Sequence, residues 1–112
     1  MTLIVWFFVP RLSICLAKRT VQIDGTPQQV PGQPFRFLAM LVEAMERSAG
    51  VSKACIENAF SRRAPSDIAR DLKQRLSAGR GDANVIRAWI IAEGNPAEYR
   101  LTLPRAAVKV SR

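Results

Sequence analysis

Apolar and polar residues change their spacing three times along this chain, and each change marks a different kind of element. Leu12, Ile14 and Leu16 alternate with Ser13, Cys15 and Ala17, and Val21 and Ile23 alternate with Thr20, Gln22 and Asp24. A period of two is the signature of half-buried strands. Asp24-Gly25 follows, the dipeptide that suits a tight hairpin, and Gln28 to Val30 is expected to pair back as a short strand. Residues 1–31 therefore read as a small antiparallel sheet. The first nine residues carry no charge, and Ile4 to Val9 are β-branched or aromatic, so they are expected to form a further buried strand. A secretory leader would need a positive segment before the apolar run, and a membrane span about twenty apolar residues; neither pattern is met.

From Pro34 the spacing becomes helical. Phe37, Leu38, Leu41, Val42 and Met45 share one face, with Arg36, Glu43, Glu46 and Arg47 opposite, and Gly50 is expected to end the helix. Ser52 is a suitable N-cap for a second helix whose Cys55, Ile56, Ala59 and Phe60 share a face. After the basic connector Ser61-Arg62-Arg63, a third helix is expected over about residues 66–78, capped by Ser66. Its apolar stripe is Ile68, Ala69, Leu72 and Leu76; Asp67, Arg70, Lys73, Gln74 and Ser77 lie opposite. Gly79 and Gly81 end it. Val85 to Ala92 then reads as a strand, with Tyr99, Leu101 and Leu103 alternating in a returning one, and the basic residues 104–112 read as a frayed tail.

The fold class expected is α+β: an N-terminal antiparallel sheet (1–31), a three-helix core (34–78), a C-terminal β-hairpin (85–103) and a basic tail (104–112), all in one domain. A length of 112 residues suits that assignment. No internal repeat or linker divides the chain.

Charge adds direction. The net charge is +8, and it is uneven: residues 62–112 carry eleven basic and five acidic side chains, against six and four before them. A basic half points to a polyanionic partner, and nucleic acid fits charges that lie on ordered elements. There is no histidine, which removes the commonest general base and most zinc sites. Cys15 and Cys55 both fall in apolar patterns and read as small hydrophobes. With no nucleophile–base pair, phosphate loop or metal cluster in view, no catalysis, cofactor or metal is expected.

A helix, a short turn and a basic third helix form a helix-turn-helix arrangement, and the hairpin after it forms a wing. The stretches "LSICLAKRTVQIDGTPQQVPGQPFRFLAMLVEA", "DLKQRL" and "VIRAWI…EYRLTL" occur in the order of strands, first helix, recognition helix and closing wing. From about Leu12 to Leu103 the chain thus resembles the winged-helix effector domain of OmpR/PhoB-type response regulators. That resemblance implies a cytoplasmic DNA-binding transcriptional regulator with the third helix in the major groove and the wing on the backbone or minor groove. Three features depart from the family's pattern. The 112 residues hold no receiver-like segment, so phosphorylation control is not implied; the wing is longer and carries Asn95-Pro96; and Asp67 and Ala69 stand where a β-branched residue usually repeats.

The expected contacts with double-stranded DNA follow from side-chain chemistry. Arg70, Lys73 and Gln74 face the groove, where arginine matches guanine and glutamine matches adenine. Arg62, Arg63 and Ser66 sit before or at the start of the third helix, where phosphate oxygens are well received. Arg80, Arg87 and Arg100 flank the wing as phosphate contacts. Trp89, Phe35, Phe37 and Phe60 are expected in the core, with Tyr99 at its edge. A homodimer through the N-terminal sheet is expected, and no membrane. The alternative is a winged helix that docks on another protein, a regulatory partner or a phage or mobile-element protein, without reading DNA; Asp67 and Asp71 on the supposed DNA face favour it.

Overall fold

The computed structural model describes residues 11–61 and 63–112. The strand expected over residues 1–10, and the dimer contact built on it, lie outside them. The chain orders as β1 (Leu12–Cys15), β2 (Thr20–Ile23), β3 (Thr26–Gln28), α1 (Gln33–Glu46), β4 (Val51–Ser52), α2 (Lys53–Ala59), α3 (Pro65–Ser77), α4 (Ala83–Arg87), β5 (Ile90–Glu93), β6 (Glu98–Leu101) and β7 (Val108–Ser111). This is an α+β fold with, among the described residues, four α-helices and two sheets.

The first sheet has the order β3-β2-β1-β7. Its hairpin is the one Asp24-Gly25 promises. Ile23 pairs with Thr26 across a two-residue turn, and both turn residues take positive φ, 52° and 80°. That turn sets the register, so the returning strand is Thr26–Gln28 rather than Gln28–Val30. Leu12, Ile14, Val21 and Ile23 point into the core, while Ser13, Thr20 and Gln22 point away from it, as the period of two requires. The expected frayed tail is instead the fourth strand. Val108 and Val110 alternate with Lys109 and Ser111, and β7 runs parallel to β1 from Leu12↔Val108 to Cys15↔Ser111. The sheet is therefore mixed rather than purely antiparallel. Arg112 fastens its end, donating to both carboxylate oxygens of Glu46 at 2.9 and 2.8 Å.

Helix α1 buries Phe35, Phe37, Leu38, Leu41, Val42 and Ala44. Phe37 makes edge-to-face contacts with Phe60 and Tyr99, at centroid distances of 6.4 and 5.8 Å, so this one ring joins three elements. The helix ends at Glu46, short of Gly50; Ser48 takes the left-handed turn, with φ 55°. Gly50 serves a different purpose. A Cβ there would lie 3.0 Å from Glu98 Cβ and 3.1 Å from the Tyr99 carbonyl oxygen, so the residue lets β4 come up against β6.

The second sheet has the order β4-β6-β5 and is antiparallel throughout. The residues before it correct the expected strand over 85–92. Ile86, Trp89 and Ile90 are buried while Val85, Arg87 and Ala88 are exposed. That is helical spacing, and residues 83–87 form α4, leaving only Ile90–Glu93 as strand. Thr102 closes the hairpin, donating from its N–H to the Trp89 carbonyl at 2.7 Å and from Oγ1 to the Ala88 carbonyl at 3.0 Å.

Candidate nucleic-acid interface

Helix α3 is held from below. Ile68, Leu72 and Leu76 are fully buried and Ala69 nearly so, as its stripe predicts. Burying each large aliphatic side chain contributes about 1.5–3 kcal/mol, so this face of α3 is fixed against the core. Pro65 occupies the first turn, and Ala64 rather than Ser66 is the N-cap. Proline forces its predecessor into the extended conformation a cap residue needs, and that moves the start of the helix back by two positions. Asp67 in the first turn faces the positive end of the helix dipole. Ser77, expected on the polar face, is buried; its hydroxyl donates to the Lys73 carbonyl at 2.7 Å. The far end is capped across the fold: Gln28 Nε2 donates to the Leu76 carbonyl at 2.6 Å.

The opposite face is open. Ser66, Arg70 and Gln74 are exposed and Lys73 is half-buried. Ser66, Ala69, Arg70 and Lys73 form one wall of a shallow cleft of about 270 Å³, and Ala92 and Tyr99 of the β5–β6 hairpin form the other. The cleft has a small apolar floor and a cationic rim. Three of the sequence-predicted residues thus converge on the junction between α3 and the hairpin.

Acidic partners shape the rest. Arg70 lies 3.8 Å from Asp67, with both side chains largely exposed. Arg63 Nη1 donates to Gln33 Oε1 at 2.7 Å, and its Nη2 lies 3.8 Å from Asp71. Asp71 also accepts from Arg75 Nε at 2.9 Å. Arg62 lies outside the described residues.

The residues expected on the wing separate. Arg87 is exposed, though on α4 rather than on a wing strand. Arg100 on β6 is paired with Glu93 at 3.2 Å and Glu98 at 3.8 Å. Arg80 is a correction: it is built into the fold. Its guanidinium grips Asp82 in a two-point contact at 2.8 and 3.1 Å, reaches the Ile23 carbonyl at 3.3 Å and lies 3.8 Å from Asp24; its side chain is only 15% exposed. The hydrogen bond to Asp82, helped by the nearby carboxylate charges, raises the Arg80 pKa against the effect of burial. The same bond holds the Asp82 carboxyl below its ordinary range. Arg80 thus fastens the Asp24-Gly25 turn to the loop after α3.

Cys55, placed in an apolar pattern by sequence, is exposed; Cys15 is half-buried, and both thiols are free. Among the described residues no group of three or more histidine, cysteine or acidic side chains could hold a metal ion, and no helix is long and apolar enough to cross a membrane. Comparison with known proteins adds no relative: no family model and no curated protein matches the chain.

Proposed function

We propose that this protein is a winged-helix protein that binds double-stranded DNA as a transcriptional regulator, with α3 in the major groove and the β5–β6 hairpin as the wing. One observation carries the reading. The polar face of α3, with Arg70, Lys73 and Gln74, stands open beside a hairpin, and β4 completes that hairpin's sheet in the order β4-β6-β5. A helix of this kind, fixed on its apolar side, fits the major groove, and its outer side chains then meet base edges.

The acids on α3 tune this surface without cancelling it. The Arg70–Asp67 pair is solvent-exposed, and such pairs contribute about 0–1 kcal/mol. A bidentate arginine–guanine contact supplies about 1–3 kcal/mol of discrimination, so Arg70 can exchange its carboxylate for a base. Lys73 and Gln74 extend the same face, Ser66 lies at its entrance, and Arg87 adds an exposed cation on α4, just before β5. Asp67 and Asp71 nevertheless favour a second reading, in which the α3–hairpin cleft of Ala69, Ala92 and Tyr99 receives a partner protein.

Selection from random duplex DNA at two salt concentrations separates them. The DNA reading expects an enriched motif, and Arg70→Ala is expected to relax preference at one base pair. Salt-sensitive retention without a motif would reduce the role to backbone binding. No retention at low salt would contradict the DNA reading and leave the partner protein.

A further inference from the structure

A second cationic feature lies on the flank of α3 and uses residues from three elements. Arg36 projects from the second turn of α1, and its guanidinium sits 5.3 Å over the ring of Phe60. Phe60 is itself buried and packed edge-on against Phe37. The Phe60 carbonyl accepts from the Arg63 N–H at 3.0 Å, and Arg63 reaches Gln33, one turn before Arg36. Arg63 and Arg75 then flank the single carboxylate of Asp71, at 3.8 and 2.9 Å. These contacts make a continuous line: Arg36, Arg63, Asp71, Arg75. It holds three cations and one anion.

We propose that Arg36, Arg63 and Arg75 form a ridge that grips the phosphate backbone of one DNA strand alongside the groove occupied by α3. The inference rests on the DNA reading and extends it to a surface that no base-reading residue supplies. Three observations carry it. Asp71 and Arg75 lie about 100° and 140° round α3 from Arg70, on the side away from Lys73, so the ridge borders the Arg70–Lys73 face rather than coinciding with it. Each guanidinium is held in place before any ligand arrives: Arg36 by an aromatic face, Arg63 by Gln33 and Asp71, Arg75 by Asp71. A free arginine loses rotamer freedom on being fixed, and a pre-held one loses less. Finally, the acids of α1 itself, Glu43 and Glu46, lie in its C-terminal half, and Glu46 is occupied by Arg112, so the Arg36 end is unopposed on its own helix. Planar, multidentate guanidinium groups match phosphate oxygens, and such contacts position a duplex without reading its sequence.

The test is fluorescence anisotropy of a labelled duplex with the full chain across a salt series, for the wild type and for Arg36→Gln, Arg75→Gln, Arg36→Lys and Arg47→Gln. Arg47 is an exposed control at the far end of α1, about 16 Å from Arg36 at 1.5 Å rise per residue. Each of the first two variants is expected to lower the slope of log affinity against log salt by about 0.9 in magnitude. It should do so equally on all duplexes. Arg47→Gln should leave the slope at the wild-type value, and Arg36→Lys, which keeps the charge, should retain more of the slope than Arg36→Gln. Circular dichroism melts verify that the variants are folded, and Arg36→Lys guards against an effect of lost Phe60 packing. If the wild type binds and the slope is unchanged in both Arg36→Gln and Arg75→Gln, the ridge is overturned while the α3 reading stands. If the wild type does not bind the duplex, the DNA reading fails and the ridge with it.

Discussion

Arg80 illustrates how one side chain can carry opposite meanings in sequence and in space. Beside two glycines and an aspartate it looks like a loop cation free to meet phosphate. In the fold it bonds Asp82 and the Ile23 carbonyl and lies beside Asp24, tying the first hairpin to the end of the helical core. Replacing it with alanine leaves those acceptors without their donor, and a loss of about 1–3 kcal/mol is expected. Chemical denaturation checks this; a change under about 0.5 kcal/mol would contradict the structural role. The pH dependence has a definite sign. The folded Asp82 carboxyl titrates below its unfolded value, so its contribution is fully present above that unfolded value and is lost as pH falls through the folded one. The raised Arg80 pKa acts only at strongly alkaline pH. Stability should therefore decline below about pH 4, and Asp82→Asn should make that acid limb shallower. An acid limb identical in the wild type and Asp82→Asn would remove this pair from the account.

Among the elements, those with long and consistent spacing were legible and those decided by remote contacts were not. The stripes of α1 and α3, the Ser52 cap and the Asp24-Gly25 turn follow from local chemistry. Ser52 Oγ accepts from the Cys55 N–H at 3.2 Å, as its position suggests. The run from Val85 to Ala92 contains both helical and strand spacing, and β-branched content favoured the wrong one. Packing of Ile86, Trp89 and Ile90 against one core chose the helix first and the strand second. Helical spacing puts Arg36 on an exposed face but gives no sign that Phe60 and Gln33 converge beside it, and Arg75 is not among the residues that the spacing of α3 singles out. Gly50 is the clearest case: sequence made it a helix stop, and the fold uses it to admit β6. Gly50→Ala is expected to destabilise by about 1–3 kcal/mol through the Glu98 and Tyr99 contacts, whereas a helix-stop role would leave β4–β6 pairing untouched. Thermal unfolding, with amide exchange of Tyr99 and Arg100, distinguishes the two.

At the scale of the described fold, the last strand returns to the first, with β7 beside β1. Removing residues 108–112 strips a parallel partner from Leu12 and Ile14, two of the most buried side chains, and frees Glu46. Two half-buried valines and a four-residue ladder are lost. At about 0.8 kcal/mol per buried methylene equivalent, a melting point lower by at least about 5 °C is expected. An unchanged midpoint would mean that β7 contributes nothing to the fold. The β5–β6 hairpin beside α3 belongs to the other sheet, and the proposed DNA surface lies on these two elements. The measurement that bears most directly on that surface is an amide chemical-shift map of the protein titrated with duplex DNA at low salt. Shifts concentrated in residues 66–75, at Arg36 and in the β5–β6 hairpin are predicted; shifts confined to β1, β2 and β7, or none at all, would contradict the DNA-binding account.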